Sequence, residues 1–298
     1  MTFAWLKGHG TENDFVLLPD HDGTVHGDLD GAFVAALCHR RRGIGADGVL
    51  RVIRTEALRR REPGIDSAAE WFMDYRNADG SISEMCGNGT RVFALHLAQE
   101  GLVDATRPFA IGTRDGDKPM SFRQAQGAGR SAQGAGRSAQ GAGLGDAISV
   151  DMGVPQVRDV SKVTAAGNTW EAQDVRTGNP HAVAFVDRLD EVGPLLTEPD
   201  YDQAVYPDGV NIEFVVREGE RHVAMRVHER GAGETRSCGT GACAVAVATA
   251  VADGAERPVT YRVDVPGGTL HVTYDADDHI TLTGPAEIIA RGTMDWTA

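Results

Sequence analysis

Cysteine is scarce in this sequence of 298 residues, which contains only Cys38, Cys86, Cys238 and Cys243. No two of them form a Cys-x-x-Cys pair, so the sequence predicts no structural zinc site. The count is also too low for a disulfide scaffold in a chain of this size. A single cysteine is most simply a small buried hydrophobic residue, and only its surroundings can indicate more.

Lysine and net positive charge are lacking as well. Of 29 basic residues, only Lys7, Lys118 and Lys162 are lysines, and pyridoxal phosphate enzymes need a Schiff-base lysine. The 43 acidic residues give a formal net charge of −14. The chain therefore offers no overall basic surface for nucleic acid, and pyridoxal phosphate chemistry is disfavoured.

Long apolar runs are missing too. The longest nearly apolar stretch, 242–252, includes Thr249 and is too short to cross a bilayer. The first ten residues lack the apolar core of a signal peptide. We therefore expect a cytoplasmic protein with no membrane partner.

The sequence is rich in short strand-like segments separated by turn residues. Strands are predicted at 15–18, 48–53, 69–75, 147–152, 182–186, 210–216, 222–228, 259–265, 269–274 and 279–282. Helices are predicted at 89–99 and 241–252, with Gly101 and Gly254 placed to end them. The second helix is apolar on every face, which predicts a buried central position. At roughly 150 residues per domain, the length suggests two domains.

A low-complexity segment at 125–143 repeats the heptapeptide AQGAGRS. It has no bulky apolar residue, so it cannot bury enough surface to offset its ordering entropy. Glycine also opposes a helical coiled coil there. We interpret this segment as a flexible surface insertion.

The two predicted helices have matching entry sequences about half the chain apart. Cys86-Gly87-Asn88-Gly89 precedes the first, and Cys238-Gly239-Thr240-Gly241 precedes the second. A helix N-terminus presents unpaired N–H groups that bind a carboxylate, and it can lower the pKa of a cysteine towards neutrality. The repetition suggests a duplicated strand-rich unit around one buried helix.

Two such thiols suit inversion at the α-carbon of an amino acid without a cofactor. One thiolate would remove the α-proton from one face, and the other thiol would donate a proton to the opposite face. The helix N–H groups would stabilise charge that delocalises into the carboxylate. The residues alone leave three alternatives open: a thiol redox sensor, a noncatalytic binding module, and a dinucleotide site at GTGACA, 239–244.

Six ordered motifs resemble those of the diaminopimelate epimerase family. NADGSISEMCGNGTR (77–91) and ERGAGETRSCGTGACA (229–244) resemble its two active-site motifs. GHGTENDF (8–15), GIGADG (43–48), GNPHAV (178–183) and GVNIEF (209–214) also match in order. The resemblance implies interconversion of LL- and meso-diaminopimelate, in lysine and peptidoglycan precursor synthesis, without metal, pyridoxal phosphate or another cofactor.

The resemblance also implies an architecture. It indicates an α/β (α+β) fold with two pseudo-symmetric domains, each a curved, mostly antiparallel sheet wrapped around a central helix, with the active site between them. We expect domains at 1–146 and 147–284, and a segment 285–298 that returns to the first domain. A homodimer is expected. A related amino-acid racemase or isomerase of the same fold is the main alternative function.

The resemblance assigns roles to particular residues. Cys86 and Cys238 match the two acid/base cysteines, and His181 and Glu229 match side chains that support them. The positions matching substrate contacts are Asn13, Asn77, Gly87, Asn88, Asn179, Asn211, Glu229, Arg230, Gly239 and Thr240. Arg230 suits a carboxylate because its planar guanidinium can bind bidentately. Two positions depart from the family: Glu12 replaces a common glycine, and Gly48 stands where some members have glutamine.

Overall fold

A computed structural model describes residues 1–122 and 143–296. All of the repeat segment 125–143 except Gly143 lies outside these residues. The four helices are α1 (Gly31–Cys38), α2 (Thr55–Arg59), α3 (Gly87–Gln99) and α4 (Gly239–Asp253). The strands are β1 (Thr2–Gly10), β2 (Asn13–Pro19), β3 (Gly48–Arg54), β4 (Trp71–Asn77), β5 (Phe109–Thr113), β6 (Gly116–Phe122), β7 (Ile148–Asp151), β8 (Gln156–Ala165), β9 (Asn168–Arg176), β10 (Pro180–Phe185), β11 (Asp200–Tyr201), β12 (Asn211–Gly219), β13 (His222–Glu229), β14 (Gly233–Thr235), β15 (Val259–Val265), β16 (Gly268–Tyr274), β17 (Ile280–Gly284) and β18 (Glu287–Asp295).

The chain divides into two compact units. Unit 1 comprises Met1–Gly10, Asp14–Val150 and Gly284–Ala298, and unit 2 comprises Thr11–Asn13 and Asp151–Thr283. The short β1–β2 turn is thus grouped with unit 2, although both of its flanking strands lie almost wholly in unit 1.

Unit 1 is a sheet with strand order β18-β1-β2-β3-β4-β5-β6-β7. The pairs β2–β3 and β4–β5 are parallel, and the others whose direction is defined are antiparallel. Helix α3 connects β4 to β5 and packs on β1, β3 and β18. Its residues from Gly87 to Leu97 are all buried, so α3 forms the core of this unit.

Unit 2 repeats this arrangement with strand order β8-β9-β10-β12-β13-β15-β16-β17. Its parallel pairs, β10–β12 and β13–β15, occupy the same places as those of unit 1. Helix α4 follows β13 and the short β14, leads to β15, and packs on strands spread across the sheet, including β9, β10 and β16. The sheet therefore curves around a central helix, which confirms the predicted fold class and the internal duplication.

The ten predicted strands and both predicted helices are present, with ends shifted by a few residues. Helices α3 and α4 each begin earlier than predicted, so that Cys86 and Cys238 are themselves the N-cap residues. Helix α4 is buried along most of its length, as its apolar composition predicts. It ends at Gly254, whose φ of 58° is left-handed and favours glycine.

Candidate active site

The two cysteines occupy the same local geometry in the two units. Cys86 is the N-cap of α3, and its Sγ accepts the Gly89 N–H at 3.4 Å. Cys238 is the N-cap of α4, and its Sγ accepts the Gly241 N–H at 3.3 Å. Each sulfur takes the place of the side-chain oxygen that normally caps a helix. Both thiols are therefore held at the positive end of a helix.

The polar environment of Cys238 changes the expected titration of its thiol. Burial raises the pKa of Cys238 well above its usual value, and the nearby carboxylates of Glu229 and Glu213 raise it further. The Thr240 hydroxyl and the Gly241 N–H act in the opposite direction. The sequence-based expectation of a pKa near neutrality is therefore wrong for Cys238, because desolvation outweighs the helix terminus. Cys86 is less buried than Cys238.

The predicted carboxylate cradle lies in the first turns of these helices. Gly87 and Asn88 open α3, and Gly239 and Thr240 open α4. Backbone N–H groups at the start of a helix have no carbonyl partner within the helix, so they are suited to an anion. The Asn88 side chain points back into its own helix, where its Oδ1 accepts from the buried Arg91 guanidinium at 2.8 Å. The amide oxygen of Asn88 is therefore engaged within its own helix.

Glu229 lies at the end of β13, beside Cys238. The Thr235 hydroxyl donates to its carboxylate, and the Cys238 thiol is also within hydrogen-bonding reach. Burial raises the pKa of Glu229, with a further increase from the charge of Glu213. This carboxyl group can therefore accept or hold a proton next to the sulfur.

A chain of hydrogen bonds connects Asn179 with the interior of unit 2. His181 Nε2 lies 2.8 Å from Asn179 Oδ1, and His181 Nδ1 lies 2.7 Å from Glu213 Oε1. His181 and Glu213 are both fully buried. Glu213 was not identified from the sequence. The available signal was its position two residues after Asn211, between apolar residues of the same strand, which places both side chains on one face.

Asn211 and Arg230 are joined through the backbone. Asn211 Nδ2 donates to the Pro180 carbonyl at 3.1 Å, and its Oδ1 accepts the Arg230 N–H at 3.0 Å. Arg230 Nη1 donates to the Asp208 carbonyl at 2.9 Å. Asn211 thus aligns the start of β10 with the residue that follows β13, and it orients Arg230.

The remaining predicted positions lie near the β1–β2 turn and the end of β4. Asn77 ends β4 and donates from Nδ2 to Ser81 Oγ at 3.0 Å. Asn13 begins β2, directly after Thr11 and Glu12. In unit 2, Thr11 Oγ1 lies 2.6 Å from Ser237 Oγ, and Glu12 forms an ion pair with Arg236. The β1–β2 turn is therefore bound to the two residues that precede Cys238.

Both departures from the family pattern have local explanations. Glu12 has a φ of 65°, a left-handed conformation that favours glycine, and its charge is paired with Arg236 rather than isolated. At Gly48, a Cβ would stand 2.6 Å from both the Arg76 carbonyl oxygen and the Tyr75 ring. The packing around β4 therefore leaves no room for a longer side chain at position 48.

The sheet topology explains why these residues gather within each unit. The starts of β2 and β3 and the end of β4 meet at one edge, since Phe15 pairs with Gly48 and Gly48 pairs with Asn77. In unit 2, the starts of β10 and β12 and the end of β13 meet in the same way. The predicted site residues thus lie at equivalent strand ends in the two units.

Comparison with known proteins agrees with this arrangement. The sequence profile of the family described as diaminopimelate epimerase matches residues 5–137 and 174–289. The chain is 52% identical over 300 residues to a diaminopimelate epimerase of Streptomyces coelicolor, covering 98% of this chain and 95% of that protein. The chain belongs to the diaminopimelate epimerase family. A family member from Rhodococcus jostii is 44% identical over 97% of this chain and 96% of its own length.

Solved structures share the fold of this diaminopimelate epimerase family member at low sequence identity. A PhzF-family phenazine biosynthesis protein of Bacillus anthracis matches with a TM-score of 0.67 at 16% identity, over 99% of this chain and 100% of that chain. A hydroxyproline epimerase of Agrobacterium vitis matches with a TM-score of 0.66 at 14% identity, over 98% and 92% of the two chains. At this identity they support the fold alone.

Two further features of the described residues bear on the site. No helix among residues 1–122 and 143–296 is long and apolar enough to cross a membrane. Within the same part of the chain, no group of three or more His, Cys, Asp or Glu side chains is arranged to hold a metal ion.

Proposed function

We propose that this protein converts LL-2,6-diaminopimelate into meso-diaminopimelate by a cofactor-independent, two-cysteine mechanism. The observation that carries the proposal is the recurrence of a cysteine N-cap at equivalent places in both units of a diaminopimelate epimerase family member. An acid/base group at each face of the α-carbon allows inversion in both stereochemical directions without a cofactor.

In the proposed reaction, a thiolate at one of the two positions removes the α-proton from its face of the substrate. The thiol at the other position donates its proton to the opposite face, which inverts the carbon. Cys238 is suited to begin as the proton donor, because its surroundings raise the pKa of its thiol. Its N-cap contact with Gly241 supports the thiolate that remains after donation.

The other proposed roles follow from charge and hydrogen-bonding capacity. The first-turn N–H groups of α3 and α4 bind the carboxylate at the reacting centre, where negative charge builds up in the transition state. Glu229 binds an ammonium group and supports Cys238. Arg230 binds the distal carboxylate, and Asn13, Asn77, Asn179 and Asn211 complete the contacts to the distal amino-acid end. The protein is proposed to act as a cytoplasmic homodimer, which cell fractionation and light scattering would test.

The direct test is incubation with LL-diaminopimelate in D2O, without added cofactor, followed by chiral separation and mass spectrometry at low conversion. We expect meso product that carries deuterium at the inverted carbon, while the remaining LL substrate stays protiated at first. Protiated product, or equal early labelling of both pools, would contradict two opposed bases. Proline and hydroxyproline serve as control substrates, and turnover of these instead would favour a related racemase.

A further inference from the structure

Glu213 places a carboxyl group inside unit 2, between His181 and the first turn of α4. It is fully buried, and its Oε1 lies 2.7 Å from His181 Nδ1. A Cβ on Gly241 would stand 2.6 Å from Glu213 Oε1 and 3.2 Å from Cys238 Sγ. The carboxyl group and the sulfur therefore approach the same point, and glycine at position 241 makes that approach possible.

The hydrogen-bond pattern around His181 fixes the ring from both sides. Nε2 faces Asn179 Oδ1 and Nδ1 faces Glu213 Oε1, so both ring nitrogens are engaged in hydrogen bonds. Glu213 Oε2 is buried and has no hydrogen-bond partner among the described residues. Such a group is costly to maintain and calls for a functional explanation.

The charged groups around Cys238 come from three strands. Glu229 is on β13 and Glu213 is on β12, and Glu213 is in turn bonded to His181 on the third strand, β10. The Gly241 N–H and the Thr240 hydroxyl approach the sulfur from α4. A negative charge within about 6 Å disfavours a thiolate. Both carboxylates therefore oppose ionisation of the sulfur, and only Glu213 is also bonded to His181.

We propose that Glu213 is a positioning residue that holds His181 against Asn179 and keeps Cys238 in its protonated thiol form in the substrate-free protein. The role rests on the proposed epimerisation, in which one cysteine must begin each turnover as an acid. It adds a second carboxyl-bearing position, after Glu229, to the Cys238 environment, one that acts through its neighbours rather than by touching the substrate.

The test is the pH dependence of Cys238 alkylation by iodoacetamide in the intact protein, followed by peptide mass spectrometry. We expect the parent midpoint above about 8.5, the ordinary value for a cysteine thiol. In E213Q the midpoint should fall by about one pH unit, which makes alkylation at pH 8 about tenfold faster relative to its high-pH plateau. E218Q, which removes an exposed carboxylate from the same strand, should match the parent.

Two further measurements keep the outcomes distinct. E213D retains the charge on a shorter side chain, so its midpoint should stay near that of the parent, whereas a shift as large as in E213Q would indicate a packing effect and overturn the proposal. A parent midpoint at or below about 8.5, or an unshifted midpoint in folded E213Q, would also overturn it. Absence of epimerase activity in the parent would refute the proposed function but leave the alkylation result valid.

Discussion

At the scale of single residues, the two cysteines have the same helix-capping role but different surroundings. Cys238 is 5% exposed and lies beside two carboxyl groups, whereas Cys86 is only partly buried. A helix N-terminus offers a thiolate stabilisation of about 1 kcal/mol, which burial near negative charge can exceed. Equivalent backbone positions can therefore carry thiols with different resting protonation states.

We expect Cys86→Ala and Cys238→Ala each to lower epimerase kcat by about a thousandfold or more, since neither thiol can serve the other face. The free energy of unfolding should change by only about 1 kcal/mol in either variant. Chiral assay of initial rates, with circular dichroism as the folding check, measures both effects. Cys38→Ala, which removes a buried cysteine of α1, is the matched control and should retain activity. Near-parental turnover in either of the first two variants would contradict the assignment.

A second prediction at this scale concerns His96, which is buried within α3. Both of its ring nitrogens are buried without a hydrogen-bond partner among the described residues. Burial, with smaller effects from the charges of His21 and Arg291, lowers the pKa of His96 to about 4. His96 in the unfolded chain binds a proton near the ordinary histidine pKa of 6.5, whereas in the folded chain it stays neutral down to about pH 4. The contribution of neutral His96 to the free energy of unfolding is therefore complete above pH 6.5 and is lost as the pH falls towards 4.

The expected size of this loss is about 3 kcal/mol between pH 6.5 and 4. Urea unfolding of the parent and of His96→Leu across this interval would measure it, because the difference between the two proteins isolates one residue from other titrating groups. The parent should lose more stability on acidification than the variant. Parallel pH profiles would show that His96 is not held neutral by the fold.

At the scale of secondary-structure elements, the two ends of α4 have separate functions. At its start, a Cβ on Gly241 would collide with Glu213 Oε1. At its end, Gly254 adopts a left-handed φ of 58°, and no atom lies within 4 Å of where its Cβ would be. The first glycine is needed for a close approach, and the second for a backbone conformation.

We expect Gly241→Ala to abolish most activity, because the added methyl group displaces the carboxyl group and the sulfur beside it. Gly254→Ala should instead lower the free energy of unfolding by about 1 kcal/mol through backbone strain, and leave kcat unchanged. Initial rates and urea unfolding of both variants test this separation. Equal loss of activity in the two variants would show that α4 responds as a single unit.

The sequence predicted these elements well where pattern and chemistry agreed. The CGxG turns, Gly254 and the strands β12, β13, β15, β16 and β17 have strong local signals, and all of them are present. The short strand β14 is also present but was not predicted. Strand β18 was missed because it lies mostly exposed and its residues EIIARGTMD show no clear alternation. Helix α1 was missed because it has only eight residues, and these show no polar face. Glu213 and His181 are 32 residues apart in the sequence, so no local sequence pattern reveals their contact.

At the scale of the whole molecule, the duplication organises the site. Each unit has two parallel strand pairs in matching places of its sheet. In each unit, the cysteine-capped helix lies along the chain between the two strands of one such pair, β4 and β5 in unit 1 and β13 and β15 in unit 2. A β-α-β connection brings the helix N-terminus near the end of the strand before it. This is why Asn77 and Glu229, at the ends of β4 and β13, precede their cysteines by similar distances along the chain. The same strand–helix–strand arrangement thus supplies the candidate site residues in each unit.

The chain termini meet within unit 1. Strand β18 pairs antiparallel with β1 from Thr2 opposite Asp295 to His9 opposite Glu287. The Trp296 N–H donates to the Met1 carbonyl at 2.8 Å, and the Met1 ammonium donates to the Trp296 carbonyl at 2.6 Å. Without β18, the β1 strand would become a long unpaired edge, and α3 would lose one of the strands that cover it.

We expect truncation to residues 1–284 to abolish the cooperative unfolding transition of unit 1, because β1 loses its paired strand from Thr2 to His9 and a domain is typically stable by only about 5–15 kcal/mol. The matched control is a circular permutant in which residues 285–298 precede Met1 through a short glycine-serine linker. This order restores β18 as the first strand of a hairpin with β1, so folding and epimerase activity should return. Thermal unfolding, amide hydrogen exchange in β1 and chiral assay of both proteins test the pair. The hypothesis is that β18 acts by pairing with β1 and not by its place in the chain. A stable, active 1–284 chain would contradict it, and so would an inactive permutant that folds like the parent.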